Sequence, residues 1–161
     1  MFRIILPVIA SVCLCAGTAL AQTSIDLGGV EVDTSAAIEV TADSLAVDQD
    51  TGSAVFSGNV VIGQGDLRLS AGLVEVIYVA ESSAIARLIA TDGVTFVTAS
   101  EAAEAQDADY NVETGLLTLN GDVLLTQGAS AISAETMIIN LTDGTATMDG
   151  RVRTVLQQGQ N

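Results

Sequence analysis

The chain has 161 residues and a formal charge of −15, five Lys and Arg against twenty Asp and Glu, with no histidine. Such a balance excludes a binder of nucleic-acid phosphates, which are neutralised by clustered Lys and Arg, and argues against electrostatic docking on anionic lipid surfaces. Beyond residue 21 the sequence holds no Cys, His, Lys, Pro or Trp, so nucleophilic triads, zinc centres and histidine acid–base catalysis have no residues to use.

Residues 1–21 read as a cleaved secretory signal peptide. Arg3 supplies the positive start, Ile4 to Ala16 form a short apolar run, and Ala19-Leu20-Ala21 is a small-residue cleavage pattern. Pro7 and Gly17 interrupt the run, which is shorter than the ~20 apolar residues of a membrane span. Cys13 and Cys15 are preceded by Val12 and Leu14, not by the small residue that lipidation requires. Both cysteines leave with the signal, and no disulfide is expected in the oxidising compartment beyond it. Residues 22–37 form a lead-in, marked by Gly28-Gly29 and Thr34-Ser35. A single domain is expected over residues 38–156, with a frayed tail at 157–161. Disorder fails as an alternative because the chain is 49% hydrophobic and its β-branched residues alternate with polar ones.

The domain is internally repeated. Unit one runs from Ala42 to Ile62 with a turn at Asp50-Thr51-Gly52. A looser unit two starts at Ala71 and ends near Gly93, with extra residues around Glu81-Ser82-Ser83. Unit three runs from Ala105 to Leu125 and turns at Glu113-Thr114-Gly115. Unit four runs from Ala134 to Thr154 and turns at Thr142-Asp143-Gly144. In the three clear units an alanine stands ten residues before the turn glycine, and Gly58, Gly121 or Gly150 stands six after it.

Within each unit the apolar period is two, which predicts strands. Unit one places Leu45, Val47, Gln49, Ala54, Phe56, Gly58, Val60 and Ile62 on one face, and unit two adds Val74, Val76 and Tyr78. Unit three adds Ala108, Tyr110, Val112, Leu117, Leu119, Gly121, Val123 and Leu125. Unit four adds Met137, Ile139, Leu141, Ala146, Met148, Gly150, Val152 and Thr154. The other face is polar, with Ser44, Asp48, Ser53, Ser57 and Asn59, then Asp109, Asn111, Glu113, Thr118, Asn120 and Asp122. One apolar and one wet face describe antiparallel sheet packed on one side. The turn glycines supply positive φ. The second glycines, on the inward face, predict bulges that give the sheet a corner and roll it.

No catalytic, metal or cofactor site is expected. Acidic residues sit in turns or on the wet face, where solvation explains them. Asp48-Gln49-Asp50-Thr51-Gly52 begins like a calcium loop but lacks the later ligands and the bidentate glutamate, so it reads as a hairpin turn. The sequon Asn140-Leu141-Thr142 is too short a pattern to carry weight. The inner face is the candidate site. It is almost wholly aliphatic, with Phe56, Phe96, Tyr78 and Tyr110 as its aromatics, and stacked repeats would make it a trough for acyl chains. Each buried CH₂ contributes ~0.8 kcal/mol. The expected lipid-binding residues are the ones already named: Phe56, Val60 and Ile62; Val74, Val76 and Tyr78; Tyr110, Val112, Leu117, Leu119, Val123 and Leu125; Met137, Ile139, Leu141 and Met148.

Four strings carry a family resemblance: Ile38-Glu39-Val40-Thr41-Ala42-Asp43-Ser44-Leu45, Ala54-Val55-Phe56-Ser57-Gly58-Asn59-Val60-Val61-Ile62, Ala90-Thr91-Asp92-Gly93-Val94-Thr95 and Gly115-Leu116-Leu117-Thr118-Leu119-Asn120-Gly121-Asp122-Val123. Over about residues 38–154 the chain resembles the OstA-like domains of the LptA family. The resemblance implies an all-β, open-ended antiparallel β-jellyroll in the periplasm that accepts lipopolysaccharide at the inner membrane. Lipid A acyl chains would lie in the apolar groove, and copies would stack head to tail into a bridge toward the outer membrane. LptC-like and LptD-like domains of the same type would be its partners. With no Lys in the chain, head groups either project into solvent, bridged by divalent cations, or carry less phosphate. Two other readings are an LptC-like domain keeping its N-terminal helix, and a structural or adhesive β-solenoid with a packed core.

Overall fold

A computed structural model describes residues 24–26 and 33–155. The expected signal at 1–21 and tail at 157–161 lie outside the described residues. The thirteen strands are β1 (Ser24–Asp26), β2 (Glu39–Thr41), β3 (Ser44–Asp48), β4 (Ser53–Gln64), β5 (Leu67–Tyr78), β6 (Ile85–Thr91), β7 (Val94–Val97), β8 (Glu101–Ala105), β9 (Asp107–Asn111), β10 (Leu116–Gln127), β11 (Ser130–Asn140), β12 (Thr145–Asp149) and β13 (Arg153–Val155). They form one sheet in which every pairing is antiparallel, the β-jellyroll that the alternating pattern and the resemblance imply.

The short strands are halves of longer ones. β2 and β3 run along the two halves of β4, β6 and β7 along β5, β8 and β9 along β10, and β12 and β13 along β11. The register breaks on β4 and β10 fall in line with the gaps between the paired short strands, while a further one, at Ile77/Tyr78 against β6, lies near the turn. On β4, Gly58 and Asn59 together oppose one residue, and on β10 Gly121 and Asp122 do the same. At each bulge the glycine has a φ near +80°, and the next residue (Asn59, Asp122 or Arg151) is also left-handed. The polar residue facing the bulge bonds to that second residue. Asn59 donates to Asp43 at 2.8 Å, Gln106 donates to Asp122 at 2.8 Å, and Arg151 pairs with Glu135.

This corner is the bend that the recurring second glycine predicts, but the glycines do not point inward. A Cβ on Gly121 would meet the Gln106 side chain at 2.7 Å, and one on Gly150 would meet Glu135 at 2.5 Å. The extra residue of the bulge turns the glycine out of the interior and toward the neighbouring strand's polar side chain. Gly121→Ala therefore faces both a clash and an unfavourable φ, costing ~1–3 kcal/mol. A melting-temperature drop on the order of 5–10 °C is expected by circular dichroism. Gly52→Ala, whose added Cβ meets open space, should lose clearly less.

The line of bulges divides the sheet into two arms with facing inner surfaces. The first arm holds β3, β6, β9, β12 and the adjoining halves of β4, β5, β10 and β11. The second holds β2, β7, β8, β13 and the other halves. The turns fold as read: Gly52, Gly115 and Gly144 have φ of 64°, 69° and 71°, and the insertion in unit two is a loop closed by Val79 N donating to Ala84 O. Asp48 accepts from the amides of Asp50 and Thr51, which holds its pKa below the usual value and explains this turn without calcium.

The lead-in contributes two pieces. Ser24–Asp26 forms β1 against Thr145–Thr147 of β12, and Asp33–Ala36 makes a tight turn before β2. At the other end of the sheet, β2 and β3 have no outer neighbour among the described strands.

Candidate functional site

The inner surfaces of the two arms enclose one apolar cluster. Val60, Ile62, Val74, Val76, Tyr110, Leu117, Leu119, Val123, Leu125, Met137, Ile139, Leu141 and Met148 are buried in it, and Phe56, Tyr78 and Val112 pack half-buried against it. The sixteen residues expected to bind lipid thus lie on one surface, whereas Val152 and Thr154, also assigned to the inner face, are exposed. Leu45 and Val47 belong to the same face, opposite Phe56 and Ala54, yet they are 55% and 64% exposed. No further strand among the described residues covers them. Gln49, placed on this face by alternation, sits in the turn after β3 and is exposed, because the strand ends at Asp48. Ser53, placed on the wet face, is buried beside the turn, where its hydroxyl meets that of Thr51 at 2.9 Å.

Sequence reasoning missed most of the lining that lies outside the three clear repeat units. Leu67, Leu69, Leu88 and Val94 are buried in the cluster, together with Phe96, which was read as an inner-face aromatic but not placed among the lipid-binding residues. Alternation in Leu67-Arg68-Leu69-Ser70-Ala71 and in Val94-Thr95-Phe96-Val97 was the available signal. Gln64 was also missed. It is 2% exposed and closes the apolar alternation of β4 with an amide.

Where Ile62, Leu67 and Leu69 of the second arm face Leu88, Ala90, Ala108, Leu117 and Leu141 of the first, a cavity of about 10 Å³ is left, with a mostly apolar lining. That is at most the space for one water, and Gln64 and Tyr110 are the polar side chains of its lining. An acyl chain therefore requires the arms to part. One side-chain hydrogen bond joins the arms across the interior among the described residues: Tyr110 Oη donates to Gln64 Oε1 at 3.0 Å. Gln64 Nε2 donates to the carbonyls of Thr34 at 2.9 Å and Ala36 at 3.2 Å. Burial pushes the Tyr110 hydroxyl above its ordinary pKa, offset in part by its bond to Gln64.

The second arm has one more buried polar group at its rim. Glu101 accepts from Thr98 Oγ1 at 2.9 Å and from Gln127 Nε2 at 3.0 Å, so it serves as a fastener between β8 and β10. On the outside, Arg87 pairs with Asp109 across β6 and β9. No grouping among the described residues could hold a metal ion. The arrangement offers an apolar enclosure and no reactive constellation.

Residues 39–145, more than half of the chain, match the family model described as LptA/(LptD N-terminal domain) LPS transport protein. An uncharacterised protein of Rhizobium meliloti (strain 1021) is 29% identical over 149 residues, which cover 92% of this chain and 68% of the relative. Among solved structures, LptH is described as the LptA homologous periplasmic component of the conserved lipopolysaccharide transport device from Pseudomonas aeruginosa. It superposes with a TM-score of 0.70 at 18% identity, covering 79% of this chain and 99% of LptH. At that identity the likeness is one of fold.

Proposed function

The chain belongs to the LptA/(LptD N-terminal domain) family of LPS transport proteins, a transport family and not an enzyme family, and on that basis we propose that it is a periplasmic bridge protein carrying lipopolysaccharide by its acyl chains. The observation that carries this reading is the continuous apolar interior shared by two arms that, among the described residues, one side-chain hydrogen bond links across the cavity. Parting the arms would expose Val60, Ile62, Leu117, Leu119, Met137 and Ile139 along a groove. Each methylene of a lipid buried there gains ~0.8 kcal/mol, so several chains supply affinity without a head-group site. Head-to-tail copies, capped by LptC-like and LptD-like domains, complete the path between membranes.

A second reading has an observation of its own. The interior is filled to about 10 Å³, as in a structural β-roll whose core is simply packed. Lipid content separates the two. Protein purified from membranes and periplasm in mild conditions should carry lipid A species, identified by mass spectrometry of an organic extract. After delipidation it should take up a fluorescent fatty acid. Protein that is lipid-free on isolation and takes up no probe would establish the packed roll.

A further inference from the structure

We infer that Tyr110 and Gln64 form the clasp that keeps the two arms shut, and that the turn at residues 33–36 is a strap released by the same event. The inference rests on the acyl-chain reading above, but the geometry behind it is independent. Tyr110 lies on β9, whose neighbours are β6 and β10, while Gln64 ends β4, whose neighbours are β2, β3 and β5. No ladder connects them, so their bond spans the interior directly.

Both amide hydrogens of Gln64 are used. Its oxygen takes the Tyr110 hydroxyl, and its amide nitrogen supplies one hydrogen each to Thr34 O and Ala36 O. The strap has its own rigidity, because Asp33 accepts from the amide of Ser35 at 3.0 Å and Ala36 N donates to Asp33 O. It also rests on the β4–β5 turn, where a Cβ on Gly65 would lie 3.7 Å from that of Asp33. Turning the Gln64 side chain away from Tyr110 pulls its nitrogen off the two strap carbonyls, so opening of the arms and release of the strap are one movement. A buried amide does not lose three partners unless others replace them, and this gives the closed form a discrete alternative rather than a gradual one. Elsewhere the facing surfaces are aliphatic and slide apart into lipid without leaving a polar group unpaired. The clasp is the polar toll on entry, and it stands at the residues lining the cavity.

Tyr110→Phe keeps the ring and removes the bond. A net hydrogen bond corresponds to a factor of roughly five to ten in an opening equilibrium. In stopped-flow mixing of the full chain with a dansyl fatty acid, the variant should fill roughly five to ten times faster, with an unchanged final signal. Hydrogen exchange at residues 33–37 should accelerate with it. Arg87→Ala, which loses an ion pair on the outer side of the same strands, should change neither. The double variant Tyr110→Phe, Gln64→Met removes both halves of the same bond and also frees the strap carbonyls of Thr34 and Ala36, so it should fill no faster than Tyr110→Phe alone while exchange at 33–37 rises further. That outcome separates a clasp from a merely stabilising bond. Unchanged uptake and unchanged exchange at 33–37 in Tyr110→Phe would overturn the inference. Faster exchange with no probe uptake by any form, wild type included, would leave the clasp standing and remove the acyl-chain reading instead.

Discussion

Leu119→Asp should abolish the cooperative thermal transition, while Thr126→Asp on the same strand should shift its midpoint by only a few degrees. Leu119 is 0% exposed and lies between Ala108 of β9 and Met137 of β11. A carboxylate there has no donor within the aliphatic cluster, and its burial costs several kcal/mol against a total stability of ~5–15 kcal/mol. Thr126 is exposed and opposes Ala102 and Ala131, so its replacement meets water. Residue 118 is a poorer control, since Asp109 lies directly opposite it and a second carboxylate would repel it. The sign of the pH dependence follows from burial. Any folded fraction of Leu119→Asp holds the new carboxyl protonated, with a pKa above its unfolded value. The folded state then binds more protons, so the defect deepens as pH rises above about 4 and eases below it. Circular dichroism melts at pH 4 and pH 7 check both points. Equal damage from the two substitutions would mean that the faces of β10 are wrongly assigned.

That experiment probes what was most legible. Alternation in the three clear units fixes the face of each strand because a one-residue slip would move every side chain to the other side, and those units carry buried residues such as Val60, Leu119, Met137 and Met148. The glycine spacing also marked the corner, since a backbone at φ near +80° selects glycine whatever surrounds it. Alternation alone did not show which way the bulge glycine faces, because a bulge shifts the pleat where the pattern is being counted. Non-local features were hidden for a plainer reason. Gln64 reads as the polar end of a strand until Tyr110, 46 residues later, is brought against it. β1 is three residues long, too short to alternate, and its partner β12 lies far along the chain. The openness of the interior was illegible as well. A filled core and a closed lipid groove demand the same aliphatic side chains, and they differ by whether the arms part.

The ends of the sheet give the second large effect: Val47→Asp should hold the protein monomeric where the wild type grows with concentration. Leu45 and Val47 continue the core face of β3 but stand 55% and 64% exposed, so two side chains of core type are left unburied at this end. Covering each contributes ~1.5–3 kcal/mol. β2 and β3 also present unpaired backbone groups, and the strands lack the Pro and Lys that usually blunt such edges. The opposite end differs. β1 is its outermost strand in the first arm, β13 in the second, and Val152 and Val155 are about half exposed there. Val152 lies in the break between β12 and β13, so β13 carries the free ladder of the second arm there. Contact between such unlike ends would run head to tail, which propagates instead of closing on itself. With a charge of −15 per chain, repulsion opposes stacking at low salt, so growth should strengthen as ionic strength rises. Val47→Asp adds a carboxylate to the apolar step while leaving the fold intact, because the side chain it replaces is already in water. In sedimentation velocity at moderate salt, the wild-type weight-average mass should climb over a hundredfold concentration range while the variant stays at one chain, with melting midpoints within a few degrees of each other. A wild type that remains monomeric throughout would sink the bridge, and a variant that grows like the wild type would move the docking surface away from β3.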